Sequence, residues 1–302
     1  MANTELREAL NEVVVIGTLA EIKHKEWANK KGINIELIIE TDQFSTHSLK
    51  GMAAYKTKKG ETNKKAEAFK TMINEYKSIA NSSREEADKV KATGKFGLNE
   101  YYTNGELKSY PELILDFANR QPEDDTHKAE FDVELFVKNV VPEKRRGEET
   151  GRSILNGYIP LYGGTVIPFS FIVIEEGSEF VSNNYDKNST VKIYGDIINR
   201  KEKIEKEKKS AFGKPRVEIK VETKREILMM GGLDPYDEDS KYSYNEDVIN
   251  KALTERETYL DEKKKQADDN GNKNSDRKGG FGGGKSTSTN NKPNISDDDL
   301  PF

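Results

Sequence analysis

Hydrophobic residues in the first 235 positions recur mostly with the period of strands. Residues 33–39 alternate partly between apolar and polar side chains, and residues 216–222 alternate cleanly, as half-buried strands do. Asn104-Gly105 between two β-rich runs predicts a hairpin turn. Residues 64–79 instead place apolar side chains on one helical face. The strand-like runs of the first half are residues 12–19, 33–39, 46–55, 90–97 and 112–117.

The second half repeats this order of elements. A partly helical piece, residues 178–185, lies between its third and fourth runs, and Gly195 falls in the same place as Gly94. Its strand-like runs are residues 131–137, 154–161, 166–174, 191–196 and 216–222. Three strands, a helix and two strands is the order of an OB fold, a five-stranded Greek-key barrel. We therefore predict a β-dominated protein with minor α content and two tandem OB-fold barrels. One larger β domain is the alternative.

The C-terminal part changes in composition. Apolar residues at three- and four-residue spacing predict a helix that packs on the preceding domain or serves an oligomer contact. A stretch rich in Gly, Asn, Asp, Lys and Ser follows, which cannot bury enough apolar surface to order itself. The predicted units are barrels at 10–120 and 128–235, a helix at 245–264, a disordered linker at 265–296 and an acidic tip at 297–302.

Composition narrows the classes of function. The chain carries a net charge of −5, so any contact with nucleic acid must come from local patches. It contains no cysteine, which excludes disulfide scaffolds and thiolate metal sites. The first residues lack the features of a signal peptide. The longest mostly apolar run, residues 166–174, is far shorter than the roughly 20 residues that span a bilayer. We expect a cytoplasmic protein, in the host cytoplasm if a phage encodes it.

One apparent catalytic motif lacks its structural context. Residues 279–286 match the phosphate-loop pattern G-x-x-x-x-G-K-[ST], which works only between a strand and a helix. The flanking sequence predicts neither. His24, His47 and His127 lie far apart, and the sequence offers no His/Cys metal spacing. We expect no cofactor, no metal and no enzymatic activity, and nucleotide hydrolysis is the weakest alternative.

The chain ends in Asp297-Asp298-Asp299-Leu300-Pro301-Phe302 after the Gly/Asn-rich stretch. This arrangement resembles that of bacterial and phage single-stranded-DNA-binding proteins (SSBs). They join an OB fold through such a linker to a tip that reads Asp-Asp-Asp-Ile-Pro-Phe. Residues 90–117 also resemble the closing hairpin of that family. The resemblance implies that the tip recruits proteins of DNA replication, recombination and repair. The common bacterial pattern has one OB fold per chain and four chains per assembly, so two barrels leave the oligomeric state open.

Binding of single strands without sequence preference requires cations along the phosphates and aromatic faces that stack on bases. Trp27 lies between lysines, away from any apolar run, and is either a stacking platform or a packing residue. Tyr101 and Tyr102 point to opposite faces if they lie on a strand. The second unit offers fewer such groups and serves DNA binding or assembly. The predicted DNA-binding residues are Lys23, Lys25, Trp27, Lys30, Lys31, Lys50, Tyr55, Lys56, Lys58, Lys95, Tyr101, Tyr102, Lys108, Arg152, Tyr158, Arg200 and Arg216.

The sequence therefore predicts a protein that coats single-stranded DNA and recruits partners through residues 297–302. In the alternative, the protein is an adaptor whose barrels bind proteins instead of DNA. Stacking of a base on Trp27 separates these two functions.

Overall fold

A computed structural model of the protein describes residues 6–121, 126–208, 212 and 216–275. The first half contains β1 (Asn11–Glu26), β2 (Gly32–Asp42), β3 (Ser45–Ala54), α1 (Lys64–Glu75), β4 (Lys89–Thr103) and β5 (Glu106–Arg120). The second half contains β6 (Lys128–Arg145), β7 (Glu148–Pro160), β8 (Val166–Val173), α2 (Glu175–Asn184), β9 (Thr190–Lys208) and β10 (Arg216–Gly232). Helix α3 (Glu246–Ser275) follows them.

Each half closes into a barrel with the same strand order. In the first barrel β1 pairs with β2, β2 with β3, β3 with β5, β5 with β4, and β4 returns to β1. The second barrel repeats this circuit as β6, β7, β8, β10, β9 and β6. In both, only the pairing of the third and fifth strands is parallel. This is the closure of an OB fold, and it confirms the predicted pair of barrels.

The two barrels also share one continuous sheet. Strands β1 and β6 pair antiparallel over six residues each, with Val13 opposite Phe131. At a second contact, Ser45 at the start of β3 pairs with Arg200 of β9. These pairings fix the barrels relative to each other through backbone hydrogen bonds, which the sequence repeat alone does not predict.

The core lies inside the barrels and follows from the alternation of the strands. Ile33, Ile35, Leu37 and Ile39 of β2 are all buried, with the intervening side chains outside. Helix α1 covers one end of the first barrel and buries Phe69 there. Helix α1 begins after Asn63, whose side-chain oxygen accepts a hydrogen bond from Lys65 N at 3.0 Å, as an N-cap residue does.

Glycine is required where the fourth and fifth strands cross closely. A Cβ atom on Gly94 would lie 2.1 Å from the carbonyl oxygen of Ile114, and one on Gly195 would lie 2.0 Å from that of Leu228. Neither position has room for a side chain, so the same glycine recurs in both barrels. In the predicted hairpin turn, Asn104 and Gly105 have φ angles of 52° and 77°, as a type I′ turn requires.

The segment between β10 and α3 is held to the second barrel by the buried carboxylate of Glu134. This carboxylate accepts hydrogen bonds from Arg7 Nη1 at 2.7 Å and from the hydroxyls of Tyr236 and Tyr244, each at 3.2 Å. Burial raises the pKa of Tyr244, and the nearby Glu134 carboxylate raises it further. The cluster fixes where the C-terminal helix begins.

Helix α3 packs on the domains through its first half, as one of the two interpretations of its pattern proposed. Ile249 and Ala252 are buried, and Arg256 forms an ion pair with Glu100 of β4. The helix reaches Ser275, so the prediction of a linker from residue 265 is wrong for residues 265–275. Lys265, Gln266 and Ala267 are good helix formers, which extend a nucleated helix beyond residue 264. Among the described residues, no helix is long and apolar enough to cross a membrane.

Candidate nucleic-acid interface

A groove of about 620 Å³ opens on the outer face of the first barrel. Strands β1, β2 and β3 form its floor, and the hairpin of β4 and β5 forms its wall. OB folds bind oligonucleotides on the face of their second and third strands, between the loops that follow the first and fourth strands. The groove occupies this face. Three of the predicted cations, Lys23, Lys25 and Lys50, line it.

The register of the strands determines which side chains meet on the floor. Lys23 lies opposite Glu36, Glu36 opposite Lys50, and Lys50 opposite Ile114. We call these four residues the charged row. A second row follows along the strands, in which Lys25 lies opposite Asn34 and Asn34 opposite Met52. Residues directly opposite each other point to the same face of a sheet, so both rows project outward from the barrel.

The lysines of the floor differ in how far protein carboxylates neutralise them. Among the described residues, Lys25 and Lys50 have no carboxylate within 4.0 Å, whereas Lys23 lies 3.6 Å from Glu21. Glu36 accepts a hydrogen bond from Ser48 Oγ at 2.5 Å. Burial raises the pKa of Glu112 in the wall, although Lys50 opposes the rise. Lys25 and Lys50 are thus available to a phosphate.

Trp27 lies at the rim of the groove, in the turn that joins β1 and β2. Its ring packs on Gly32, and its Nε1 donates a hydrogen bond to Asn34 Oδ1 at 2.8 Å. The residue is half-buried and outside the core. The ring thus packs on its own hairpin and contacts Asn34, which lines the groove, so the structure is compatible with both interpretations of Trp27. Lys30 and Lys31 lie in the same turn and are exposed.

The predicted residues after β3 begin beside the turn that carries Trp27, because Tyr55 N donates a hydrogen bond to the Lys31 carbonyl at 2.9 Å. The Tyr55 hydroxyl donates to Glu26 Oε1 at 2.8 Å, and Lys70 Nζ lies 4.1 Å from the centroid of the Tyr55 ring. One face of that ring is therefore covered by a cation. Lys56 and Lys58 are exposed in the loop that follows.

The hairpin of β4 and β5 extends the groove wall with aromatic residues. Tyr101 and Tyr110 stack with their ring centroids 6.1 Å apart. Tyr101 lies opposite Lys108, and alternation places both on the same face as Asn99 and Glu112 of the groove. Lys108 forms an ion pair of 2.9 Å with Glu106. Tyr102 points to the other face, as the sequence predicts for one of the two tyrosines.

Lys95 and Arg152 are held by carboxylates. Lys95 Nζ lies 2.7 Å from Glu8 Oε1. In the second barrel, Arg152 donates to Glu143 at 2.8 and 2.9 Å and to Glu226 at 3.2 Å. Hydrogen bonds, first of all from Arg152, lower the pKa of Glu143 to about 2. Any contact of Arg152 with DNA would have to compete with this network.

The other predicted residues of the second barrel are dispersed. Tyr158 lies on β7 with Lys138 Nζ 5.9 Å from its ring centroid, and it packs against the core. Arg200 is exposed on β9, beside the turn between β2 and β3. Arg216 begins β10, but its side chain lies outside the described part of the chain, as do residues 276–302 with the phosphate-loop match and the tip.

Sequence reasoning missed Met52 and Tyr110. Met52 is 69% exposed on the groove floor, which is high for a large apolar side chain on a strand. The signal was present, because Met52 follows Lys50 by two residues and therefore shares its face. Among the described residues, no group of three or more acidic or histidine side chains is placed to hold a metal ion.

The equivalent floor of the second barrel has different chemistry. Val141 lies opposite Ile154, Ile154 opposite Ile172, and Ile172 opposite Leu228. These four residues occupy the positions of the charged row, and we call them the aliphatic row. Val13 and Phe131 are paired between the barrels. Lys23 follows Val13 by ten positions, and Val141 follows Phe131 by ten positions. The correspondence of the two rows therefore rests on strand register and not on residue type. Two barrels of one fold thus present opposite surfaces.

Comparison with solved structures supports the class that this topology defines. A deletion variant of the single-stranded DNA binding protein from Thermus aquaticus superposes with a TM-score of 0.51 at 10% identity. The match covers 78% of this chain and 98% of that chain. The protein is therefore an OB-fold protein with two barrels. Its particular family is YorF: the chain belongs to this family, whose model matches residues 9–266. No curated protein matches the chain.

Two further structures match with lower TM-scores. The wild-type Thermus aquaticus protein gives a TM-score of 0.49 at 11% identity and covers 78% of this chain and 97% of its own. A replication protein A heterotrimer bound to single-stranded DNA gives 0.20 at 8% identity, with 75% of this chain and 50% of that chain covered.

Proposed function

We propose that the protein binds single-stranded DNA through the groove of the first barrel, without strong sequence preference. The observation that carries this proposal is the floor of that groove. Two lysines without a carboxylate partner among the described residues, Lys25 and Lys50, line it together with the exposed apolar side chain of Met52. Trp27 adjoins it through a hydrogen bond to the lining residue Asn34. Cations that track phosphates and flat or apolar groups that contact bases are the two requirements for such binding.

The Thermus aquaticus protein that superposes on this chain with a TM-score of 0.51 is a single-stranded DNA binding protein. Its likeness to this chain supports the same ligand here, because the groove lies on the face that OB folds use for oligonucleotides. The mechanism needs no chemistry on the DNA. The protein coats the strand, keeps it unpaired and acts in the cytoplasm.

We further propose that residues 297–302 recruit proteins of DNA replication, recombination or repair. Three aspartates repel DNA, whereas Leu300, Pro301 and Phe302 fit an apolar pocket on a partner, with a partner Arg or Lys at the terminal carboxylate. The support is the resemblance of this sequence to the SSB tip.

One observation favours the adaptor function as a second candidate, and it concerns the second barrel. The aliphatic row places four apolar side chains at the positions where the first barrel has its charged row. Such a surface can bury apolar side chains of a partner protein, whereas it has no charge to pair with the phosphates of DNA. The adaptor function predicts no binding of DNA at all.

The test is a titration of the full chain with a thymidine oligonucleotide at several salt concentrations. Trp27 is the only tryptophan, so its fluorescence reports on the rim of the groove alone. We expect quenching and an affinity that falls with salt, with a slope of about 0.7 per phosphate contacted. Anisotropy of a labelled oligonucleotide measures binding independently of Trp27. Absence of binding in both measurements would leave the adaptor function.

Single variants locate the binding in the groove. Lys50→Ala should weaken binding and reduce the salt slope by about 0.7, the value of one lost phosphate contact. Trp27→Ala should weaken binding to every DNA sequence alike, since stacking tolerates any base. Lys187→Ala is the matched control, because Lys187 is an exposed lysine of the second barrel. Equal loss in Lys187→Ala and Lys50→Ala would indicate nonspecific attraction instead of a groove.

A further inference from the structure

The turn between β2 and β3 joins the first barrel to the second. Ser45 pairs with Arg200, Lys201 N donates a hydrogen bond to the Phe44 carbonyl at 2.8 Å, and Asn199 Nδ2 donates to that of Thr46 at 2.7 Å. The joint is therefore built from one strand pairing and two hydrogen bonds to backbone carbonyls, one of them donated by the side chain of Asn199. It lies on β3, the same strand that forms part of the groove floor.

Phe44 is presented outward from this joint. Its ring is 40% exposed. The Asp42 carboxylate fixes the turn, because it accepts hydrogen bonds from Phe44 N at 2.6 Å and from Ser45 Oγ at 2.8 Å. The guanidinium carbon of Arg200 lies 5.8 Å from the centroid of the Phe44 ring. A single exposed aromatic residue is ordinary, but here it is paired with an exposed cation from the other barrel.

A continuous path connects the groove with this pair. Alternation along β3 turns Thr46, Ser48, Lys50 and Met52 to the same outer face. The distance from Lys50 to Ser45 along the strand is about 17 Å. The two side chains between the groove and the joint, Ser48 and Thr46, are small and polar. They leave room for a single strand of DNA that lies along β3.

The path continues on the second barrel. Arg200 lies opposite Lys224 in the hairpin of β9 and β10. Both occupy the face that corresponds to the groove wall of the first barrel, because Leu228 of the aliphatic row lies on the same side of β10. The hairpin of the second barrel thus offers Arg200, whereas Lys224 Nζ lies 3.5 Å from the carboxylate of Glu226.

We propose that Phe44 and Arg200 form a second contact site for single-stranded DNA, at the joint between the barrels. A base stacks on Phe44, and the adjoining phosphate is bound by Arg200. The site receives the nucleotides that leave the first groove along β3 and directs them to the β9–β10 hairpin. Because the joint is already ordered, its use requires little further loss of conformational freedom. This inference rests on the proposed function of the groove.

The site predicts a dependence on the length of the DNA. One OB fold covers about 4 to 16 nucleotides. A thymidine oligonucleotide of about 6 nucleotides therefore occupies one barrel, whereas one of about 30 nucleotides is long enough to occupy two. We expect Phe44→Ala and Arg200→Ala to weaken binding of the long oligonucleotide about fivefold or more, the lower end of one lost stack. Binding of the short one should be unchanged.

Three further variants make the experiment specific. Phe44→Tyr keeps an aromatic face and should bind both lengths as the wild type does. Tyr162→Ala removes an aromatic side chain that is 85% exposed elsewhere on the second barrel, and it should have no effect. Lys50→Ala should weaken both lengths, because it acts in the first groove. Thermal unfolding of each variant shows whether the joint is intact.

The outcomes separate the two proposals. Wild-type affinity of Phe44→Ala and Arg200→Ala for the long oligonucleotide would overturn the second site and leave the groove. An equal loss at both lengths would also overturn it, since the variants would then act through the first groove. If the wild type binds neither oligonucleotide, the proposed function itself fails.

Discussion

The two barrels repeat one topology and one register, yet their groove floors have opposite chemistry. The charged row of the first barrel carries two lysines and a glutamate, whereas the aliphatic row of the second carries no charge. Beside these rows, Lys25 of the first barrel has no ion-pair partner among the described residues, while Arg152 of the second is engaged by two buried glutamates. The difference concerns the outer faces alone.

This difference follows from how a closed barrel is specified. The inner side chains and the close crossings at Gly94 and Gly195 determine the topology, so they are constrained in both copies. The outer positions contribute little to closure and are free to change. A fold can therefore be duplicated while the chemistry of its surface diverges, and function has to be argued from the residues of each face.

The largest expected effect concerns the second barrel. Arg152 is 18% exposed and contacts Glu143 and Glu226, whose side chains are 8% and 3% exposed. Arg152→Ala leaves both carboxylates with Arg145 as their remaining arginine partner, so it should lower the free energy of unfolding by about 3 kcal/mol, the lower end for a broken buried ion pair. Urea denaturation measures this loss.

The matched variant for that experiment removes Arg152 together with both of its carboxylate partners. Arg152→Ala combined with Glu143→Ala and Glu226→Ala should recover part of the stability, because no buried carboxylate is left without its partner. DNA affinity of folded Arg152→Ala should equal that of the wild type. A stable variant with weakened DNA binding would show that Arg152 contacts DNA, and the contrast between the barrels would no longer hold.

Charge reversal in the first barrel should give the next largest effect. Lys25→Glu with Lys50→Glu removes two phosphate contacts and adds two repulsions, so affinity for single-stranded DNA should fall about 100-fold at low salt. The salt slope should fall by about 1.4, the value of two contacts. Lys187→Glu with Lys241→Glu changes the net charge equally on exposed lysines outside the groove. A similar loss in that control would mean that overall charge governs binding.

A smaller effect should appear in the dependence of stability on pH. Burial of His47 in β3 lowers its pKa from 6.5 to about 4, although Asp42 opposes the shift. The unfolded chain therefore takes up a proton below pH 6.5 that the folded chain does not. Stability from this residue is complete above pH 6.5 and is lost as the pH falls towards 4, by about 2 kcal/mol at pH 5.

The comparison of wild type with His47→Gln isolates that contribution. Between pH 7.5 and pH 5, the free energy of unfolding of the wild type should fall by about 2 kcal/mol more than that of the variant. His127 also lies near the joint, where its Nδ1 is 3.1 Å from the Thr41 carbonyl oxygen. His127→Gln serves as the second histidine control. Identical pH dependence in wild type and His47→Gln would show that His47 does not resist protonation.

The fold was largely predictable because its determinants are local. The alternation of β2, the Asn104-Gly105 turn and the recurrence of Gly94 as Gly195 are each visible within a few residues. The end of α3 was not predictable in this way. Composition indicates whether a segment can bury apolar surface, but it does not indicate how far an established helix continues into solvent.

The site was only partly predictable, because the availability of a cation depends on residues distant in sequence. Lys95 and Arg152 look like Lys50 in the sequence, but each has a partner, Glu8 or Glu226, about 80 residues away in the chain. Only the fold brings these groups together. Met52 was within reach of sequence reasoning, since the period of a strand places it on the face of Lys50.

The smallest expected effect concerns residues 297–302, which belong to neither barrel. Their deletion removes three aspartates, which compete with DNA for the cations of the first groove. Affinity for single-stranded DNA should therefore stay the same or rise slightly, most visibly at low salt where screening is weak. The matched control replaces Leu300 and Phe302 by alanine, which keeps the charges and should leave DNA affinity unchanged while it removes the apolar contact with a partner. A large loss of DNA affinity on deletion would assign the tip to the DNA interface, and recruitment would then need another surface, for which the aliphatic row of the second barrel is the candidate.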